Sequence, residues 1–153
     1  MSRAFVKESD GGNGQELPEL QVSPHRNLVT AAGRQLIEAN VERLQAELSA
    51  ARAAEDRAAI ARIQRDLRYW NERLRTAEVV NAPVSGTARF GSTVTLEKED
   101  GSRVEYRIVG EDEADPARGR ISYVAPIAKL LIGASVDDVV RLPDGNADIV
   151  SIE

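Results

Sequence analysis

Cysteine is absent from all 153 residues, which excludes a disulfide framework, a thiolate metal site and a cysteine nucleophile, and fits a reducing compartment. Aromatic residues are scarce, with two Phe, three Tyr and one Trp. Any core must therefore be built from Val, Ile, Leu and Ala, and no large aromatic-lined pocket is expected. Nowhere do eighteen apolar residues follow one another, and Glu8, Asp10 and Glu16 stand where a signal peptide would need an apolar run, so a cytoplasmic protein without membrane contact is expected. The one histidine, His25, lies beside Pro24 with no Asp, Cys or second His arranged around it. A lone imidazole without oriented partners makes neither a metal site nor a catalytic triad. No catalytic residue, resident metal or cofactor is expected.

Charge is unevenly placed. Residues 27–80 carry nine Arg against eight Asp and Glu, whereas residues 81–153 carry eight Arg and Lys against thirteen Asp and Glu. An acidic C-terminal part repels a phosphate backbone, so tight direct binding to duplex DNA is disfavoured and a basic protein partner is the better expectation.

Three segments follow one another. Residues 1–26 hold the run Gly11-Gly12-Asn13-Gly14, two prolines and scattered charge without apolar periodicity, and read as a flexible tail. Residues 27–80 turn to helical spacing, with Thr30 as a candidate N-cap. Ile37, Val41, Leu44, Leu48 and Ala51 recur at steps of four and three, and so do Ile60, Ile63, Leu67, Trp70, Leu74 and Ala77, each the seam of a coiled coil. The nine-residue step from Ala51 to Ile60 fits no heptad, so the seam cannot continue in phase along one straight helix. Ala51 with Ile60, Leu48 with Ile63, Leu44 with Leu67, Val41 with Trp70 and Ile37 with Leu74 share one constant sum of positions, the signature of five levels in an antiparallel hairpin. That match favours a monomeric hairpin, turning near Glu55 and Asp56, over one long helix that dimerises. Asp56 is placed to cap the second helix although the turn has neither Gly nor Pro.

Asn81, Ala82 and Pro83 end the helical region, and over 81–153 the period falls to two. Thr93 and Thr95 alternate with Val94 and Leu96; Arg103, Glu105 and Arg107 alternate with Val104, Tyr106 and Ile108; Asp100-Gly101 between them is a hairpin signal. Pro126 to Ile132 reads as a short helix ended by Gly133. Val139–Leu142 and Ala147–Ile152 form a last strand pair around Asp144-Gly145. The expected fold is α+β: an antiparallel helical hairpin, then an antiparallel β domain with one short helix.

The blocks Gly86-Thr-Ala-Arg-Phe90-Gly91-Ser-Thr-Val94, Tyr106-Arg-Ile-Val-Gly110-Glu-Asp-Glu-Ala-Asp115, Ile121-Ser-Tyr-Val-Ala-Pro126-Ile-Ala128 and Leu131-Ile-Gly133 resemble, in order, the C-terminal domain of the GreA/GreB transcription elongation factors. Thr30 with Gly33 and Leu36, and Leu67-Arg68-Tyr69 with Glu78-Val79-Val80, are also similar to that family. The resemblance implies an N-terminal coiled coil on an FKBP-like C-terminal domain, with bacterial RNA polymerase as partner. In the family the C-terminal domain docks at the rim of the polymerase secondary channel and the coiled coil enters it, touching the nucleic acid of the elongation complex only indirectly. It assigns docking to Glu111, Asp112, Glu113, Asp115, Ala125 and Pro126, with Ala125 replacing the serine usual before that proline.

The same resemblance places transcript cleavage at the hairpin tip, in an acidic Asp-x-x-Glu-Asn motif that helps hold a second Mg²⁺ in the polymerase's own centre. Here Asp56-Arg57-Ala58-Ala59-Ile60 keeps one acid, with Glu55 beside it on a different bearing. The arms also look shorter than the family's by about ten residues each, which at about 1.5 Å per residue withdraws the tip by about 15 Å. Weak or no stimulation of cleavage is therefore expected. Two other readings stay open: a short-hairpin, Rnk-like or anti-Gre competitor of secondary-channel factors, and an FKBP-like prolyl isomerase, whose pocket would have to be built from Phe90, Tyr106 and Tyr123. Glu55 and Asp56 also fit an ordinary solvated helix start, and residues 111–115 an ordinary solvated loop.

Overall fold

In the computed structural model, residues 17–81 and 85–153 are described; the tail as far as residue 16, and residues 82–84 with the expected break at Ala82 and Pro83, lie outside them. The chain divides into two compact units, one holding residues 39–75 with residues 17–24, the other residues 25–38 and 76–153. Among the described residues no helix is long and apolar enough to cross a membrane.

Helix α1 spans Ala31–Ala53 and helix α2 spans Arg57–Thr76. In the first unit the two seams close on each other: Val41, Leu44, Ala51, Ile63 and Leu67 form one buried cluster, against which Leu48, Ala59, Ile60, Trp70 and Leu74 pack. Burial of these seams, rather than helix propensity, supplies most of a hairpin's stability. The outer faces carry spaced ion pairs such as Arg43–Glu47. Upstream, residues 17–24 run without helix or strand, and the Glu19 carboxylate accepts hydrogen bonds from the Arg68 guanidinium of α2. That forked pair holds Glu19 below the usual carboxylate range.

The turn explains how the chain reverses without glycine. Glu55 N donates to Arg52 O at 3.1 Å and Asp56 N to Ala51 O at 3.0 Å, the two bonds of a Schellman end. Glu55 occupies its left-handed position, with φ 53°. Asp56 then starts α2: its Oδ1 accepts from Ala59 N at 3.1 Å, as an N-cap does. One residue thus closes one helix and opens the next.

The second unit centres on a five-stranded sheet of order β5-β4-β3-β7-β6. Its strands are β3 (Thr93–Lys98), β4 (Arg103–Val109), β5 (Arg120–Ser122), β6 (Val139–Leu142) and β7 (Gly145–Ile152). Alternation sends Val94, Leu96, Val140, Leu142, Ala147 and Ile149 into the core, where they meet Ile108, Ile121 and Phe90, and Ala128 and Leu131 of helix α3 (Pro126–Leu131). One strand departs from the all-antiparallel expectation, since β5 pairs with β4 in parallel, Ile108 against Ile121. A parallel neighbour needs a crossover, and residues 110–119 supply it through a 3-10 turn at Pro116–Arg118.

The second unit also contains a two-stranded parallel sheet not visible in the sequence pattern, β1 (Leu28–Val29) with β2 (Glu78–Val79). It sets the segment entering α1 beside the segment leaving α2, through Glu78 N to Asn27 O at 2.8 Å and Val80 N to Val29 O at 3.0 Å.

Three substitutions probe the hairpin by thermal and urea unfolding followed by circular dichroism. Leu44→Ala, at a position 2% exposed, should destabilise by about 2–4 kcal/mol. Asp56→Ala should cost about 1 kcal/mol through the lost cap. Glu55→Gly should stabilise by about 0.5–1 kcal/mol, because glycine adopts the left-handed position without a Cβ penalty.

Candidate functional site: an acidic loop and a hairpin tip

Strand β4 ends in buried Val109, and after Gly110 the acidic residues follow. Because β4 and β5 run in parallel, the chain leaves both strands at the same end. Tyr123, just past β5, donates its N–H to Val109 O at 2.9 Å. This topology brings Glu111 and Asp112 to the same end of the strand pair as Ala125 and Pro126. Asp115 lies apart from them at the start of β5, where its backbone bonds both ways with Arg120, at 2.8 and 3.1 Å, and its side chain sits 3.5 Å from Arg118. Glu111, Asp112, Asp115 and Ala125 are half-buried and Pro126 is exposed.

Glu113 differs from its neighbours. It is 8% exposed, and its Oε1 accepts a hydrogen bond from Thr30 Oγ1, which in turn accepts from Gly33 N at 3.0 Å. Thr30 is thus the expected N-cap of α1 and also a donor to the acidic loop. Two glycines make room. A Cβ on Gly33 would lie 3.0 Å from Glu113 Oε1, and a Cβ on Gly110 only 2.5 Å from Leu28 O. The triplet of Thr30, Gly33 and Glu113 could not be read from periodicity, since its members are far apart in sequence. The only signal for it was that all three fall inside the quoted family blocks.

Helix α3 begins with Ala125 in extended conformation, at φ −69° and ψ 149°, with no side-chain cap, and Pro126 in its first turn. Alanine has no oxygen to offer the free N–H groups there, where a serine would. Phe90 and Tyr123 meet edge to face, with centroids 5.4 Å apart. Phe90 lies in the core and Tyr106 and Tyr123 pack against it, while the Tyr123 hydroxyl donates to Arg26 O. These rings serve packing of the sheet's core.

At the hairpin tip, Arg52, Glu55, Arg57 and Ile60 line a shallow open hollow. Asp56 Oδ1 is engaged by Ala59 N, and Ala59 and Ile60 face the apolar cluster. Among the described residues no group of three or more His, Cys, Asp and Glu is placed to hold a metal ion.

Residues 83–153 match the family described as "Transcription elongation factor, GreA/GreB, C-term". The chain is 32% identical over 144 residues to "Transcription elongation factor GreA 1" of Lactiplantibacillus plantarum, a match covering 81% of this chain and 92% of the relative. It is 43% identical over 82 residues to "Transcription elongation factor GreB" of Haemophilus influenzae, a match covering 52% of each. The chain spans about half the length of that relative and of its Pasteurella multocida counterpart. A solved structure of GreA factor homolog 1 (Gfh1) of Thermus thermophilus aligns over 84% of this chain and 99% of that one, at 27% identity and a TM-score of 0.41. With a relative matched over nearly its whole length, the class is that of the transcription elongation factors. The chain belongs to the GreA/GreB family.

The β1–β2 pair carries a pH signature. Arg26 forms a forked hydrogen-bonded pair with Glu78, which holds the Glu78 carboxyl below its usual range. A depressed folded value means that the contribution is present above the ordinary glutamate value of about 4.3 and is lost as pH falls below it. Amide exchange at Glu78 and Val80, corrected for intrinsic rates, should accelerate across that acid range, and Glu78→Gln should abolish the step.

Proposed function

We propose that this chain binds bacterial RNA polymerase near its secondary channel and modulates elongation, with weak or no stimulation of transcript cleavage. Docking is assigned to Glu111 and Asp112 with Ala125 and Pro126, and to Asp115 further along the same loop. Support comes from membership of the GreA/GreB family together with the parallel β4–β5 pairing, which gathers four of these residues at one end of the sheet. Carboxylates there suit a basic partner surface and set association rate and salt dependence more than raw affinity. The factor acts on the polymerase's chemistry and brings no active site of its own.

The observation that carries weak cleavage is the make-up of the tip. Cleavage of the family's type needs carboxylate oxygens about 2 Å from Mg²⁺. Asp56 is committed to capping α2, Ala59 and Ile60 face the seam, and Glu55 shares its hollow with Arg52 and Arg57. Arms of 23 and 20 residues measure about 35 and 30 Å, and a shortfall of about 15 Å against the family's arms exceeds what a side chain can span. A factor that occupies the channel without completing the metal site acts as a competitor of cleavage-competent factors.

Two measurements test this. On backtracked elongation complexes the protein should leave cleavage near its intrinsic rate and reduce stimulation by an added cleavage factor; strong stimulation, abolished by Asp56→Ala, would overturn the reading. Asp112→Lys should weaken polymerase binding about tenfold at low salt and flatten its salt dependence, and unchanged affinity would remove this surface.

A further inference from the structure

Glu113 sits in the middle of the acidic loop yet points inward, and its carboxylate is joined to the residue that starts α1. We propose that Glu113 is a positioning residue: held by Thr30, it fixes the backbone on which Glu111, Asp112 and Asp115 are displayed, so that partner docking and the start of α1 are energetically linked. The inference rests on the polymerase-docking reading and adds to it a means of control.

Three observations support the link. First, the bond is buried and charge-assisted, a class worth roughly twice a neutral hydrogen bond, and removing its donor would leave a carboxylate buried among protein atoms. Second, the approach is built into the backbone on both sides. Gly33 leaves room for Glu113 Oε1 at a distance where a methyl group would already crowd it, and Gly110 lets the loop's origin pass so close to Leu28 O that no other residue fits. Third, one hydroxyl serves both ends, accepting from Gly33 N in the first turn of α1 while donating to the loop. Loop order therefore depends on the helix cap, and by linkage a partner that orders the loop must also strengthen the cap.

The experiment uses the full chain with Thr30→Val, which keeps size and removes the hydroxyl, Thr30→Ser, which restores it, and Asp112→Lys as the docking control. Polymerase affinity and amide exchange over residues 111–115 are measured together, with Asn40–Arg75 exchange as a check on the hairpin. Thr30→Val should weaken polymerase binding about tenfold and accelerate exchange in the loop at least tenfold without matching acceleration in the hairpin, and Thr30→Ser should recover most of both. If Asp112→Lys weakens binding while Thr30→Val does not, the positioning role is overturned and docking stands. If neither weakens binding, the docking surface itself is wrong and the inference falls with it. A binding loss in Thr30→Val without faster loop exchange, or without recovery in Thr30→Ser, would mark a general structural defect and also overturn it.

Discussion

The hydroxyl of Thr30 sits where the most consequential constraints of the second unit meet. The first four N–H groups of any helix lack intrahelical partners, and in α1 one of them, on Gly33, is satisfied by Thr30 Oγ1. The proton on the same oxygen goes to Glu113. A serine or threonine can do both because its hydroxyl donates once and accepts twice; an aspartate cap of equal helix-starting power could not, since it has no proton to give and would repel the carboxylate. The choice among good N-cap residues is thus decided by a loop more than eighty positions away in the chain. Around this point the β1–β2 pair, the close approach of Gly110 to Leu28 and the Tyr123 hydroxyl on Arg26 O all tie the segment entering α1 into the same unit as the sheet.

Much of the architecture was legible because burial imposes simple periods. Seam positions whose numbers share a constant sum are what an antiparallel helix pair requires, and those from Val41 to Leu74 lie in one cluster. The alternation at Val94 and Leu96, and at Val140 and Leu142, follows from one buried sheet face. What escaped has equally physical reasons. Two-residue strands such as Leu28–Val29 are too short to show a period. The parallel β5 has its partner in a strand with a crossover between, and pairing direction leaves no trace in hydrophobic pattern. The turn at Glu55 defies the usual glycine signal because tertiary packing of the two seams holds a non-glycine residue in the left-handed region, at a local cost that the cluster offsets.

The sequence shows the acidic run but not how the fold divides it. Glu111, Asp112, Glu113 and Asp115 form one acidic run in the sequence, with nothing to distinguish the third. In the fold, Glu113 turns inward to Thr30, Asp115 is held at the start of β5 through its backbone bonds with Arg120, and Glu111 and Asp112 lie at the strand end that also leads to Pro126. Which member of an acidic run turns inward cannot be read from residue type.

The same reasoning governs the tip. Glu55 and Asp56 are adjacent in sequence and could be taken for a pair of metal ligands, yet the backbone gives them opposite tasks. Glu55 occupies the left-handed C-terminal position of α1 and Asp56 the N-cap of α2, so this turn already employs an oxygen of one of its two tip acids. A longer connection could free Asp56 by providing another cap, but it would also break the phase that sets Ala51 level with Ile60. Tip chemistry and seam register are therefore in competition within this sequence, and here the register prevails.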